Sequence, residues 1–165
     1  MTTREQKLEQ LGYPLNAIAK PAAMYEPLVV DGTTVYASGA IPLTEEGTLA
    51  STGKVPTDVS IENAQAAAAL CVANILRIVR SPIGELAHIE RIIRLTGFVN
   101  SAAGFTQQHI VINGASQLCV DILGDAGRHA RSAVGVCELP LNASVEVEMI
   151  IKLRSGLDET ATRRK

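Results

Sequence analysis

A chain of 165 residues, 47% of them apolar, is large enough to bury one hydrophobic core, and a single domain is expected. Fifteen Lys and Arg against 17 Asp and Glu leave a formal net charge of -2, so no global field gathers nucleic acid or anionic lipid and any anion site has to be local. Aromatic residues make up 3%, with no Trp, which removes the stacking platforms that single-stranded nucleic acid needs.

Cys71, Cys119 and Cys137 are odd in number and far apart, without zinc or disulfide spacing, which points to a reducing compartment and no metal. Met1 to Gln10 is charged where a secretory leader needs an apolar run, and no stretch is read as approaching the roughly 18 apolar residues of a membrane helix. The expectation is a soluble, cytoplasmic protein with no membrane or nucleic-acid partner.

In chain order, Thr2 to Leu11 predicts a short helix stopped by Gly12. Leu28 to Val30 and Val35 to Ser38 predict two strands paired through a hairpin at Asp31-Gly32. Pro42 to Pro56 is a surface loop, after which Asp58 or Ser60 caps a helix that runs to about Arg80 with Glu62 in its first turn. Ile61, Ala64, Ala68, Cys71, Ile75 and Val79 form the core stripe of that helix, and Asn63, Asn74 and Arg77 fall elsewhere on the wheel.

His88 to Val99 predicts a long strand in which paired isoleucines blur the alternation. Val111, Ala115, Leu118 and Ile122 predict a second helix ending at Gly124, and Ser132 to Cys137 and Ser144 to Leu153 two closing strands. This order implies an α+β two-layer domain, a mixed sheet with two helices on one face and a bare second face that self-association would cover.

Gly127-Arg128-His129-Ala130-Arg131-Ser132 is the densest polar cluster. A guanidinium there can grip a carboxylate with two parallel hydrogen bonds, or it can pair with a surface acid. Glu146 and Glu148 alternate with Val145, Val147 and Met149, which puts both carboxylates on one face, roughly 7 Å apart; they serve as acid and base or mark a solvent-facing edge. His129, flanked by Arg128 and Arg131, is disfavoured as a cation and reads as a general base or a hydrogen-bonded loop histidine. His88 and His109 have no metal-ligand partner, Cys71 and Cys119 belong to core stripes, and no phosphate loop, dinucleotide fingerprint or serine-hydrolase elbow is present.

Ser38-Gly39-Ala40-Ile41-Pro42, Gly47, Ala130-Arg131-Ser132-Ala133-Val134, Leu139-Pro140 and Val145-Glu146-Val147-Glu148 occur in the order and spacing of the RidA (YjgF) family of reactive-intermediate deaminases, also labelled endoribonuclease L-PSP. The resemblance covers roughly Tyr25 to Leu153 and divides the chain into an N-terminal helical extension (1–20), a RidA-like domain (21–155) and a polar tail (156–165). It implies a chorismate-mutase-like fold, a homotrimer with clefts between subunits, no metal or cofactor, and hydrolysis of an enamine or imine to a ketoacid plus ammonia. By position, it implies that Arg131 binds the substrate carboxylate and Tyr25 lines the pocket. Ser38 and Gly39 would offer backbone groups, Asn113 would contribute from the start of the second helix, and Glu146 would position the hydrolytic water.

Ala133 stands where many members have a cysteine, a few extra residues around Gln107-Gln108-His109 separate Phe105 from Arg131, and Asn113-Gly114-Ala115-Ser116 with Gly127-Arg128-His129 resembles a subgroup of longer members; by the resemblance, Ala133 and His129 would be neighbours of the pocket. A non-catalytic binding module for a small carboxylate is the alternative function, with endoribonuclease last.

Overall fold

The computed structural model describes residues 2–16 and 24–156. Among the described residues nine helices and strands carry the fold: α1 (Arg4–Gln10), β1 (Leu28–Asp31), β2 (Thr34–Ala40), α2 (Ile61–Ile83), β3 (Ile89–Asn100), α3 (Gln108–Val111), α4 (Asn113–Leu123), β4 (Ala130–Val136) and β5 (Val145–Leu153). The strands form one mixed sheet in the order β1-β2-β5-β3-β4, parallel only between β3 and β4. The α+β two-layer architecture expected from the element order is therefore present. The proposed division at residues 20/21 and the tail beyond Gly156 lie outside the described residues.

Local chemistry accounts for most of the element ends. Thr3 and Gln6 close a capping box at α1, and Gly12 follows it at φ 88°. The β1–β2 hairpin turns on Gly32-Thr33, with Asp31 paired to Thr34 and Gly32 supplying the positive φ of 56° that a tight hairpin requires. Of the two candidate caps for α2, Ser60 accepts from the Asn63 N–H, while Asp58 folds back to accept from the Lys54 N–H. The helix runs three residues past Arg80 because Pro82 falls in its last turn, where few backbone bonds remain to be broken.

Val145, Val147, Met149, Ile151 and Leu153 of β5 face α2 and are buried, as are Ile92, Leu95 and Val99 of β3. The blurred alternation of β3 has a physical cause: two bulges, between Ile89 and Arg91 and between Ile92 and Arg94, leave Ile92 in the core and Ile93 exposed. Leu8 of α1 is fully buried, whereas Leu11 is half exposed.

Three readings of the sequence need correction. Asn74 and Arg77 lie off the apolar stripe yet are buried, because the chain around Pro14 and the Ile41–Leu43 segment cover that flank of α2. Arg77 Nε donates to the Pro14 carbonyl at 2.7 Å and one of its terminal nitrogens to Asn74 Oδ1 at 2.7 Å, while the Asn74 amide donates to the Ile41 and Leu43 carbonyls. β5 is the central strand of the sheet, so Glu146 and Glu148 do not lie on a sheet edge; they share its open face, where Glu148 is exposed and Glu146 half-buried. Finally, α2 is long and apolar enough to cross a membrane, contrary to the reading of the sequence, but 67% of its most apolar window is buried in the fold, the pattern of a core helix.

Candidate functional site

Arg131 sits on the outer strand β4 opposite Leu95 of β3, so its side chain projects toward the helical layer. One terminal nitrogen donates to Asn113 Oδ1 and to Ser116 Oγ, both at 3.0 Å, and the other to the His109 carbonyl at 3.2 Å. All three acceptors are neutral, and among the described residues no carboxylate forms an ion pair with the guanidinium. Its surroundings thus define its orientation without cancelling its charge.

The break between α3 and α4 at Ile112 frees the His109 carbonyl, and the three-residue step from Asn113 to Ser116 puts both side chains on one face of α4. Gly114 presses the start of α4 onto α2, where a Cβ would lie 2.1 Å from the Gln65 carbonyl oxygen. Gly127 does the same beneath Cys119, with 2.1 Å to that carbonyl oxygen, and sets the entry into β4. These two glycines place Asn113, Ser116 and Arg131 in register.

His129 is half-buried between α4 and the 124–127 turn, with Nδ1 2.6 Å from the Gly127 carbonyl oxygen and Nε2 3.1 Å from Ser116 Oγ. Burial holds its imidazole below the ordinary value of 6.5; the Gly127 bond offsets part of this and the Arg131 charge adds to it. Both ring nitrogens of His129 are thus hydrogen-bonded, and desolvation outweighs the neighbouring cation. Ala133 lies two residues beyond Arg131 on the same face of β4, against the core.

Glu146 occupies the opposite side of the sheet. It is paired with Phe98 and flanked by the buried Val145 and Val147, so it projects from the face away from the helices, as does Glu148. A bulge in β2 between Ala37 and Ala40 brings Gly39 beneath it, and a Cβ on Gly39 would lie 1.9 Å from Glu146 Oε1. Burial, and secondarily the charge of Glu148, push the Glu146 carboxyl above its ordinary 4.5. In the same bulge, Ser38 Oγ donates to the Glu26 carbonyl at 2.7 Å, which ties down the segment that carries the half-exposed Tyr25.

The single chain thus assembles Arg131, Asn113 and His129 on the helical side, and Gly39 and Glu146 on the open side with Ser38 and Tyr25 at the adjoining strand end. It does not bring Arg131 to Glu146: their β3 partners, Leu95 and Phe98, are three positions apart, about 10 Å of strand, and the side chains leave opposite faces. Ser116 and the His109 carbonyl are partners of Arg131 that the sequence did not single out; the Asn113/Ser116 spacing was the available signal.

A family profile described as "YjgF/chorismate mutase-like, putative endoribonuclease" matches residues 5–153. The chain belongs to this family. Protein TCP17 of Trypanosoma cruzi is 38% identical over 149 residues, 90% of this chain and 92% of that protein. The crystal structure of Atu1372 from Agrobacterium tumefaciens, a protein of unknown function, is 45% identical, with a TM-score of 0.86 and 92% of each chain covered. TdcF of E. coli, solved with bound serine, is 26% identical with a TM-score of 0.60, over 84% of this chain and 94% of TdcF. Family membership fixes the YjgF/chorismate mutase-like fold and an enzymatic family label, at a coarser level than any particular reaction.

Proposed function

We propose that this protein hydrolyses a reactive enamine or imine bearing a carboxylate to a ketoacid plus ammonia, without a cofactor, in the cytoplasm. The observation that carries this reading is Arg131, a guanidinium oriented by three neutral acceptors with no acid among the described residues to neutralise it. Such a group takes a carboxylate in a bidentate grip that lysine cannot reproduce. The serine held by TdcF is a small carboxylate of the same kind.

Water supplies the oxygen. It adds to the imine carbon, the tetrahedral carbinolamine transfers a proton to nitrogen, and the C–N bond breaks to leave a carbonyl and ammonia. A carboxyl raised above its ordinary value, as Glu146 is, sits closer to neutral pH and is suited to take a proton from that water and return it to the leaving nitrogen. Because Arg131 and Glu146 leave opposite faces of one sheet, the reading requires two copies of the chain, Arg131 from one and Glu146 from its neighbour. A homotrimer closes that arrangement and covers the open sheet face, where Tyr36 and Val134 are exposed.

The decisive experiment is complementation. Arg131→Ala and Glu146→Gln are each expected to abolish ketoacid release from freshly generated 2-aminoacrylate. Equimolar mixed oligomers are expected to recover about a quarter of wild-type activity, the fraction of interfaces that pair two intact halves. No recovery would refute the shared site, and a wild-type rate no faster than buffer would refute the reaction. The distance between Arg131 and Glu146 within one protomer favours, as second reading, a module that binds a small carboxylate without turnover. Ligand-dependent thermal stabilisation with no ketoacid formed identifies it. RNA is not a fitting substrate for a chain of net charge -2 with 3% aromatics, and Arg131-dependent RNA cleavage would overturn that view.

A further inference from the structure

We propose that His129 is a positioning residue for Arg131, acting through the Ser116 hydroxyl and requiring one imidazole tautomer, with the proton on Nδ1 and a bare Nε2. The inference rests on the reading of Arg131 as the carboxylate anchor, and it adds a residue that touches no ligand.

The donor and acceptor assignment is forced. The Gly127 carbonyl only accepts, so Nδ1, 2.6 Å away, carries a hydrogen. In the neutral ring that leaves a lone pair on Nε2, which is 3.1 Å from Ser116 Oγ and receives the hydroxyl hydrogen. Ser116 then turns its lone pairs to the Arg131 nitrogen at 3.0 Å. The resulting order runs from Arg131 to Ser116 to His129 to the Gly127 carbonyl, with every hydrogen assigned.

Without an acceptor at Nε2, the Ser116 hydroxyl is free to point its hydrogen elsewhere. The Arg131 nitrogen shared by Ser116 and Asn113 then keeps only Asn113 Oδ1 as an assured side-chain acceptor. The guanidinium then rests on one acceptor at each terminal nitrogen, Asn113 Oδ1 and the His109 carbonyl, without the third bond that braces its plane, and a bidentate grip depends on that plane. A protonated His129 would do comparable harm by directing a second cationic donor at the same hydroxyl. The groups around the ring are consistent with a neutral state: Ser116 from α4, the Gly127 carbonyl from the turn, Arg131 from β4, and the adjacent Arg128, which is paired with Asp125 at 3.2 Å.

The test compares wild type, His129→Gln, His129→Leu and Arg131→Ala. Glutamine can offer an amide oxygen close to the position of Nε2, and leucine offers none. Long-range proton–nitrogen NMR at neutral pH is expected to show His129 with hydrogen on Nδ1 and none on Nε2; the opposite tautomer overturns the proposal whatever the ligand. With pyruvate as calorimetric probe, His129→Leu is expected to weaken binding at least 10-fold. His129→Gln should return to within about threefold of wild type, with similar melting temperatures for both variants. Equal loss in the two variants, or no loss in His129→Leu, refutes the positioning role. Retained pyruvate affinity in Arg131→Ala, or no binding by wild type, instead refutes the anchor reading, leaving the tautomer to decide the state of His129.

Discussion

Gly39→Ala separates two accounts of the same glycine. If Gly39 serves a ligand through its backbone, alanine keeps both the N–H and the carbonyl, and activity should survive. If it serves by making room, the new Cβ would lie 1.9 Å from Glu146 Oε1 and 2.9 Å from its Cδ, so the carboxylate has to retreat by more than an ångström to reach ordinary contact. A misplacement of about 1 Å costs roughly 100-fold in rate when it affects a group that orients a reactant. The fold itself should tolerate the change: Gly39 has no positive φ, and the clashing atom is the end of a flexible side chain. Reduced freedom of the unfolded chain offsets some strain, so stability should stay within about 1 kcal/mol and the melting temperature within about 4 °C. The assay is ketoacid release from 2-aminoacrylate beside pyruvate binding, with the expected result a rate lowered roughly 100-fold and a pyruvate Kd within about threefold of wild type. A wild-type rate in Gly39→Ala would show that the position of Glu146 does not govern the reaction.

Glu146→Gln should raise the melting temperature near pH 7 while abolishing turnover. The folded state holds this carboxyl above its ordinary value, so its favourable contribution is complete below about pH 4.5 and is lost as pH rises through the raised value. The stability difference between variant and wild type should accordingly widen from pH 4 to pH 7, and a flat difference would contradict the burial argument. His129 works in the opposite direction: its folded value lies below 6.5, so its contribution is present above about pH 6.5 and is lost as the pH falls, which a His129→Gln comparison across that range checks. Arg77→Ala should cost about 2–4 kcal/mol in chemical denaturation, because it strands the Pro14 carbonyl and Asn74 Oδ1 and empties a site only 3% exposed. A loss below about 1 kcal/mol would mean that water replaces the guanidinium.

The sequence by itself determined the elements and their order. Gly12, Gly32, Ser60 and Gly124 act within a few residues of where they stand, and the alternation of Val145, Val147 and Met149 follows from one face being buried, so these signals survive without tertiary knowledge. Arg131 and Glu146 were also legible as residues, through the polar cluster at β4, the strand alternation and the family pattern. Only the tertiary structure decided their relation. The parallel register of β4 on β3 sends Arg131 to the helical side, and the packing of Val145 and Val147 of β5 against the helices sends Glu146 to the other. It also decided that Arg77 is core and that His129 answers to Ser116 on another element. Which face a residue leaves, and what it meets there, depends on pairing between strands distant in the chain, where one step of register reverses every side chain.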